Sequence, residues 1–109
     1  MRKTLVLIIS LSMVTIAGAQ ELSYITEIDI PYYSEDIRSD NQYISERCKL
    51  DIYYPENIKG FPTVVWFHGG GLTQGEKEIP ESLKENGICV IGVNYRLSPK
   101  VKTPAFIED

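Results

Sequence analysis

His68-Gly69-Gly70-Gly71 is the stretch of this sequence best suited to chemistry. Three consecutive glycines bring no side chains, so packing does not call for them. They let the backbone take positive φ and come close to a ligand. Amides aimed at one point can hold a developing negative charge, such as the tetrahedral oxyanion of acyl transfer. One such donor is worth roughly 2.7–4 kcal/mol. Gly70 and Gly75 also stand five apart after an apolar run, as in a phosphate-binding Walker loop. There, however, Glu76 takes the lysine position, Lys77 comes one residue late and no Ser or Thr follows, which argues against that reading. Cys48 and Cys89 belong to no CxxC or Cys/His cluster, so neither a zinc site nor a cofactor is expected.

Such a loop needs a frame. Tyr24 to Pro31 alternates apolar and polar residues, which predicts a half-buried strand ended by proline. Ser34 to Glu46 is polar and charged and reads as a loop or wide turn. Cys48 to Pro55 alternates again, predicting a second strand antiparallel to the first. Glu56 to Gly60 is a surface turn. Thr63–Phe67 and Ile88–Val93 are instead continuous apolar runs, the pattern of parallel strands covered on both faces. Between them, Pro80 to Asn86 reads as a short helix, with Pro80 at its first position and Gly87 as the left-handed residue after its end. The fold class is therefore α/β: an antiparallel strand pair followed by a βαβ unit. The glycine loop then sits at the carboxyl end of a parallel strand, where α/β proteins bind ligands.

The 109 residues allow one small domain, and 43% hydrophobic with 24% charged residues is ordinary globular composition. The net charge is −4, and no basic stripe is available for phosphates, which argues against nucleic-acid binding. Residues 1–19 read as a signal peptide. Arg2 and Lys3 precede an apolar run from Leu5 to Ile16, and Ala17-Gly18-Ala19 supplies a cleavage site before Gln20. The run is shorter than the ~20 residues that cross a bilayer, so no membrane association is expected after cleavage. Removing Arg2 and Lys3 leaves 9 basic residues against 15 acids, a mature charge of −6.

Four segments together resemble the secreted esterases of the α/β-hydrolase fold. His68-Gly69-Gly70-Gly71 resembles their HGGG oxyanion loop. Tyr95-Arg96-Leu97-Ser98-Pro99 is similar to the YRL-x-P segment after the next strand. Leu50 to Pro55 resembles the strand before the oxyanion strand, and Pro104 to Asp109 resembles the start of the helix before the nucleophile strand. The resemblance implies that Gly70 and Gly71 donate amides to the oxyanion and that Gly69 shapes the turn. It implies that His68 supports the loop rather than acting as base, that Arg96 and Asp109 form a structural ion pair, and that Tyr95 packs. It also places the strands begun by Cys48 and Cys89 as antiparallel neighbours whose starts lie at opposite ends, so two unpaired thiols are expected.

The same resemblance exposes what the chain lacks. The family nucleophile lies in G-x-S-x-G, and none of the serines at 10, 12, 23, 34, 39, 45, 82 and 98 has that setting. His68 is the single histidine, and Asp29, Asp36, Asp40 and Asp51 all precede the loop. No triad can be assembled from these residues. The expectation is a truncated N-terminal part of an α/β-hydrolase domain over residues 20–109, with an incomplete sheet and a bare edge on the Thr63–Phe67 strand. The parent is expected to be a secreted or periplasmic serine esterase acting on a small-molecule or polysaccharide-linked ester. The alternatives are an inactive fragment or secreted binding module, and an amide or peptide hydrolase of the same fold.

Overall fold

The computed structural model describes Gly18 and residues 20–109, so the expected signal peptide lies, apart from Gly18, outside the described residues. Strands β1 (Tyr24–Pro31), β2 (Lys49–Pro55), β3 (Thr63–Phe67) and β4 (Cys89–Val93) form one sheet in the order β1-β2-β4-β3. β1–β2 and β2–β4 are antiparallel, and β3–β4 is parallel, with Thr63 opposite Cys89 and Phe67 opposite Val93. The mixed sheet matches the strand pattern of the sequence. The β1 ladder is interrupted between Glu27 and Ile30, where Asp29 takes φ 56° and its amide donates to the Asp51 carboxylate at 2.8 Å. Asp tolerates this left-handed geometry better than a bulkier residue.

Three expectations are corrected. Ser34 to Glu46 is not a loop. It carries helices α1 (Glu35–Asp40) and α2 (Gln42–Arg47), and the Asn41 side chain accepts from the Ile44 amide at 3.1 Å to cap α2. Each helix is 6 residues long, too short to show a 3.6-residue period. The expected helix over Pro80 to Asn86 is a single 3₁₀ turn, Glu81–Leu83. The chain leaves it at once because Lys84 is extended and Glu85 takes φ 58°; Gly87 is left-handed at φ 69°. β3 is not covered on both faces. It is the outer strand of the described sheet, and Val65, Trp66 and Phe67 are exposed.

β4 is the centre of the structure. Cys89, Val90 and Val93 are buried, together with Ile44, Cys48, Tyr53 and Tyr95. Gly92 lies beneath the β3–β4 connection, where a Cβ would come within 2.3 Å of the Glu78 carbonyl oxygen. Both cysteines are buried and unpaired. A short final helix, α3 (Ala105–Glu108), follows Pro104. No helix among the described residues is long and apolar enough to cross a membrane.

Candidate active site

The glycine loop leaves the carboxyl end of β3. Gly70 takes φ 117° and Gly71 φ 62°, both in the range that favours glycine. The two positions differ in kind. A Cβ on Gly70 would fall 2.0 Å from the Gln74 carbonyl oxygen, whereas one on Gly71 would meet open space. Gly70 is therefore required by close backbone approach as well as by its angle. Thr73 folds the loop back, its amide donating to the Gly70 carbonyl at 3.2 Å and its hydroxyl at 3.1 Å. Among the described residues, the Gly70 and Gly71 amides make no hydrogen bond to another protein group. They remain free to donate.

The base of the loop is held from beneath. His68 is buried, its ring stacked on Tyr95 with centroids 4.5 Å apart and planes 7° apart. The Tyr95 hydroxyl donates to the His68 carbonyl at 2.8 Å. His68 Nδ1 lies 2.7 Å from the Gly69 carbonyl oxygen. A carbonyl only accepts, so Nδ1 carries the hydrogen and Nε2 presents its lone pair. That lone pair faces Arg47 Nη2 at 3.5 Å, since a guanidinium only donates. The return limb passes directly over this ring: a Cβ on Gly75, at φ 117°, would meet His68 Nδ1 at 2.2 Å. Leu72 takes φ 63° and is fixed by the Ser98 amide donating to its carbonyl at 2.8 Å.

Asn94 and Arg47, which the sequence did not single out, link this loop to the rest of the sheet together with Glu76 and Lys77. Asn94 is buried directly after β4. Its side-chain oxygen accepts from the Lys77 amide at 2.6 Å, and its amide donates to the Glu76 carboxylate at 2.8 Å. Arg47, the last residue of α2, pairs with Glu76 and donates to the Gly75 carbonyl at 3.1 Å and the Tyr95 carbonyl at 3.2 Å. The Asn94 amide, and then Arg47, hold the Glu76 carboxyl below the usual carboxylate range. Lys77 bridges Asp51 at 2.6 Å and Asp29 at 3.0 Å. Burial pulls its ammonium down, but the hydrogen bonds it donates to these two carboxylates outweigh that and raise it. The one visible signal of Asn94 is a polar side chain placed immediately after a buried apolar strand.

Arg96, the next residue after Tyr95, pairs with Asp109. The Arg96 side chain donates to both carboxylate oxygens at 2.7–3.0 Å, and its backbone amide adds a bond of 2.9 Å. The Asp109 side chain is fully buried. Burial pushes its carboxyl up, but hydrogen bonds from Arg96, and one from Tyr33, overcome this and hold it below the usual range. No three His, Cys, Asp or Glu side chains converge as metal ligands among the described residues.

A BD-FAE family model matches residues 50–109, which contain β2 from Leu50 onward, β3, the glycine loop, β4 and the Arg96–Asp109 pair. The chain is 34% identical over 62 residues to carboxylic ester hydrolase LipN of Mycobacterium tuberculosis, covering 52% of this chain and 16% of that protein. It is 40% identical over 55 residues to an AB hydrolase superfamily protein of Schizosaccharomyces pombe, covering 46% of this chain and 16% of that protein. Secreted lipase 5 of Gibberella zeae is 30% identical over 77 residues, 56% of this chain and 14% of the lipase. The chain thus spans about one sixth of the length of these relatives.

Proposed function

The chain belongs to the BD-FAE family, and from that premise we propose that the protein carrying it is an exported serine hydrolase of carboxylic esters. Its fold is the N-terminal part of an α/β hydrolase. In this reading Gly70 and Gly71 supply oxyanion-hole amides, His68 and Gly69 shape the loop, and the nucleophile, base and acid lie outside residues 1–109. A serine Oγ bonds to the ester carbonyl carbon while its proton passes to a histidine. The carbonyl electrons move onto oxygen, and the amides hold that charge. The C–O bond to the alcohol then breaks, the alcohol leaves with the proton, and water releases the acid.

The observation that carries this reading is the pair of uncommitted amides on Gly70 and Gly71, held at positive φ where the parallel strand β3 ends. A preorganised donor of this kind acts on charge that develops during reaction. The likeness to a secreted lipase supports export, as does the apolar segment before Ala19.

The test uses the full-length protein, recovered outside the cytoplasm with Gln20 as its N-terminus, turning over a p-nitrophenyl ester. Gly71→Ala keeps its amide and has room for the methyl, leaving only the strain of a left-handed alanine, so kcat should stay within about tenfold of wild type. Gly70→Ala drives the loop off the Gln74 carbonyl, and kcat should fall by about 100-fold or more, the scale of one lost oxyanion donor. Residues 20–109 alone should show no turnover. Full activity in Gly70→Ala would refute the oxyanion role.

A further inference from the structure

We infer that Arg47 is the positioning residue of the oxyanion loop: from the end of α2 it ties both limbs of the loop to each other and to the segment after β4. This role rests on the proposed ester-hydrolase reading, and it concerns a residue outside the matched segment 50–109.

The loop limb that leaves β3 begins at His68, and the limb that returns ends at Gly75 and Glu76. Each is in reach of the same guanidinium. Nη2 meets His68 Nε2 on one limb and the Gly75 carbonyl on the other, while Nη1 meets the Glu76 carboxylate. Nε fixes the whole group to the Tyr95 carbonyl, and Nη2 also reaches Asn94 Oδ1 at 3.3 Å. The side chain is only 13% exposed, so water does not compete freely for these donors. Only a planar fork can serve acceptors in several directions from one site; a lysine ammonium acts as a point charge.

The consequence falls on the amides. The Gly70 and Gly71 amides donate to no protein group among the described residues, and Thr73 holds the Gly70 carbonyl, and with it the peptide plane of the Gly71 N–H, so the tip is carried as a unit by the limbs beneath it. Where that tip points is set at the base, where the limbs approach so closely that a Cβ at position 75 would collide with the His68 ring. Releasing Arg47 frees the two limbs to separate, which turns the amides away from the developing oxyanion. A misplacement of about 1 Å costs roughly 100-fold in rate.

The experiment compares wild type, Arg47→Lys and Arg47→Met in the full-length protein, at a temperature where circular dichroism shows each fully folded. Turnover of p-nitrophenyl acetate is measured alongside inhibition by a trifluoromethyl ketone, whose serine adduct places an oxyanion in the hole. Arg47→Met should lose about 10–100-fold in kcat with KM changed less than threefold, and should weaken the ketone by the same factor as kcat/KM. Arg47→Lys should fall between, and added methylguanidine should partly restore Arg47→Met. Wild-type kcat and ketone affinity in Arg47→Met, with only a lowered Tm, would show that Arg47 merely stabilises the fold. An inactive wild type would overturn the ester-hydrolase reading itself and this role with it. If Arg47→Met does not fold, Arg47→Lys decides by the same two readouts.

Discussion

Tyr95 and Arg96 are neighbours in the chain with different duties. The Tyr95 ring stacks on His68 and holds the glycine loop. Arg96 grips a fully buried carboxylate, Asp109. Breaking a buried pair strands one charge, which costs about 3–5 kcal/mol, so Asp109→Asn should destabilise the protein by roughly that amount at pH 7. The dependence on pH has a definite sign. The folded carboxyl lies below the usual range, so its contribution is complete above the unfolded value near 3.9 and is lost as pH falls through the lower folded value. Urea midpoints of wild type and Asp109→Asn should therefore differ most at neutral pH and converge below about pH 4. A gap that stays constant from pH 7 to pH 3 would mean that folding does not lower the Asp109 carboxyl.

At the scale of elements, the sequence carried the strands and the glycine loop but not the helices that support them. Alternation in Tyr24–Pro31 and Lys49–Pro55, and the apolar run of Cys89–Val93, record which faces are buried, and burial is what a residue pattern encodes. α1 and α2 bury only Ile44 between them, so no stripe marks them. The roles of Arg47, Glu76 and Asn94 were equally hidden, because they arise from contacts between residues 17 to 48 positions apart. The apolar run of β3 misled for the opposite reason: the strand is outermost in the described sheet, so its side chains stay exposed. The capping of the two helices separates them experimentally. Asn41 bonds the Ile44 amide, whereas Ser34 makes no side-chain cap bond to α1. Asn41→Ala should cost about 1 kcal/mol, read as a shift in denaturant midpoint, and Ser34→Ala only a few tenths. Equal costs would show that the cap on α2 contributes nothing specific. Because Arg47 closes α2, the Asn41 change should also lower the activity of the full-length protein while Ser34→Ala leaves it intact.

For the molecule as a whole, the two edges of the sheet are unequal. β1 is blunted: Glu27 and Asp29 put charge on it, and the irregularity at Asp29 breaks its line of hydrogen-bonding groups. β3 is Thr63-Val64-Val65-Trp66-Phe67, with no charge and no break, and its outer backbone groups have no partner strand among the described residues. Straight, apolar, uncharged edges pair with one another. Residues 20–109 expressed alone should therefore self-associate through β3 and not through β1. Both strands offer an exposed apolar residue for comparison, Val65 at 49% and Ile28 at 66% exposure. By area alone, replacing Ile28 with lysine would help solubility more. By edge geometry, Val65→Lys should lower light scattering strongly and Ile28→Lys little, since a charge interrupts pairing only where pairing occurs. Equal effects would mean that association follows exposed apolar surface in general. A β3-specific effect would locate the surface on which this chain must be covered to remain a single sheet, and it is the strand that delivers the glycine loop.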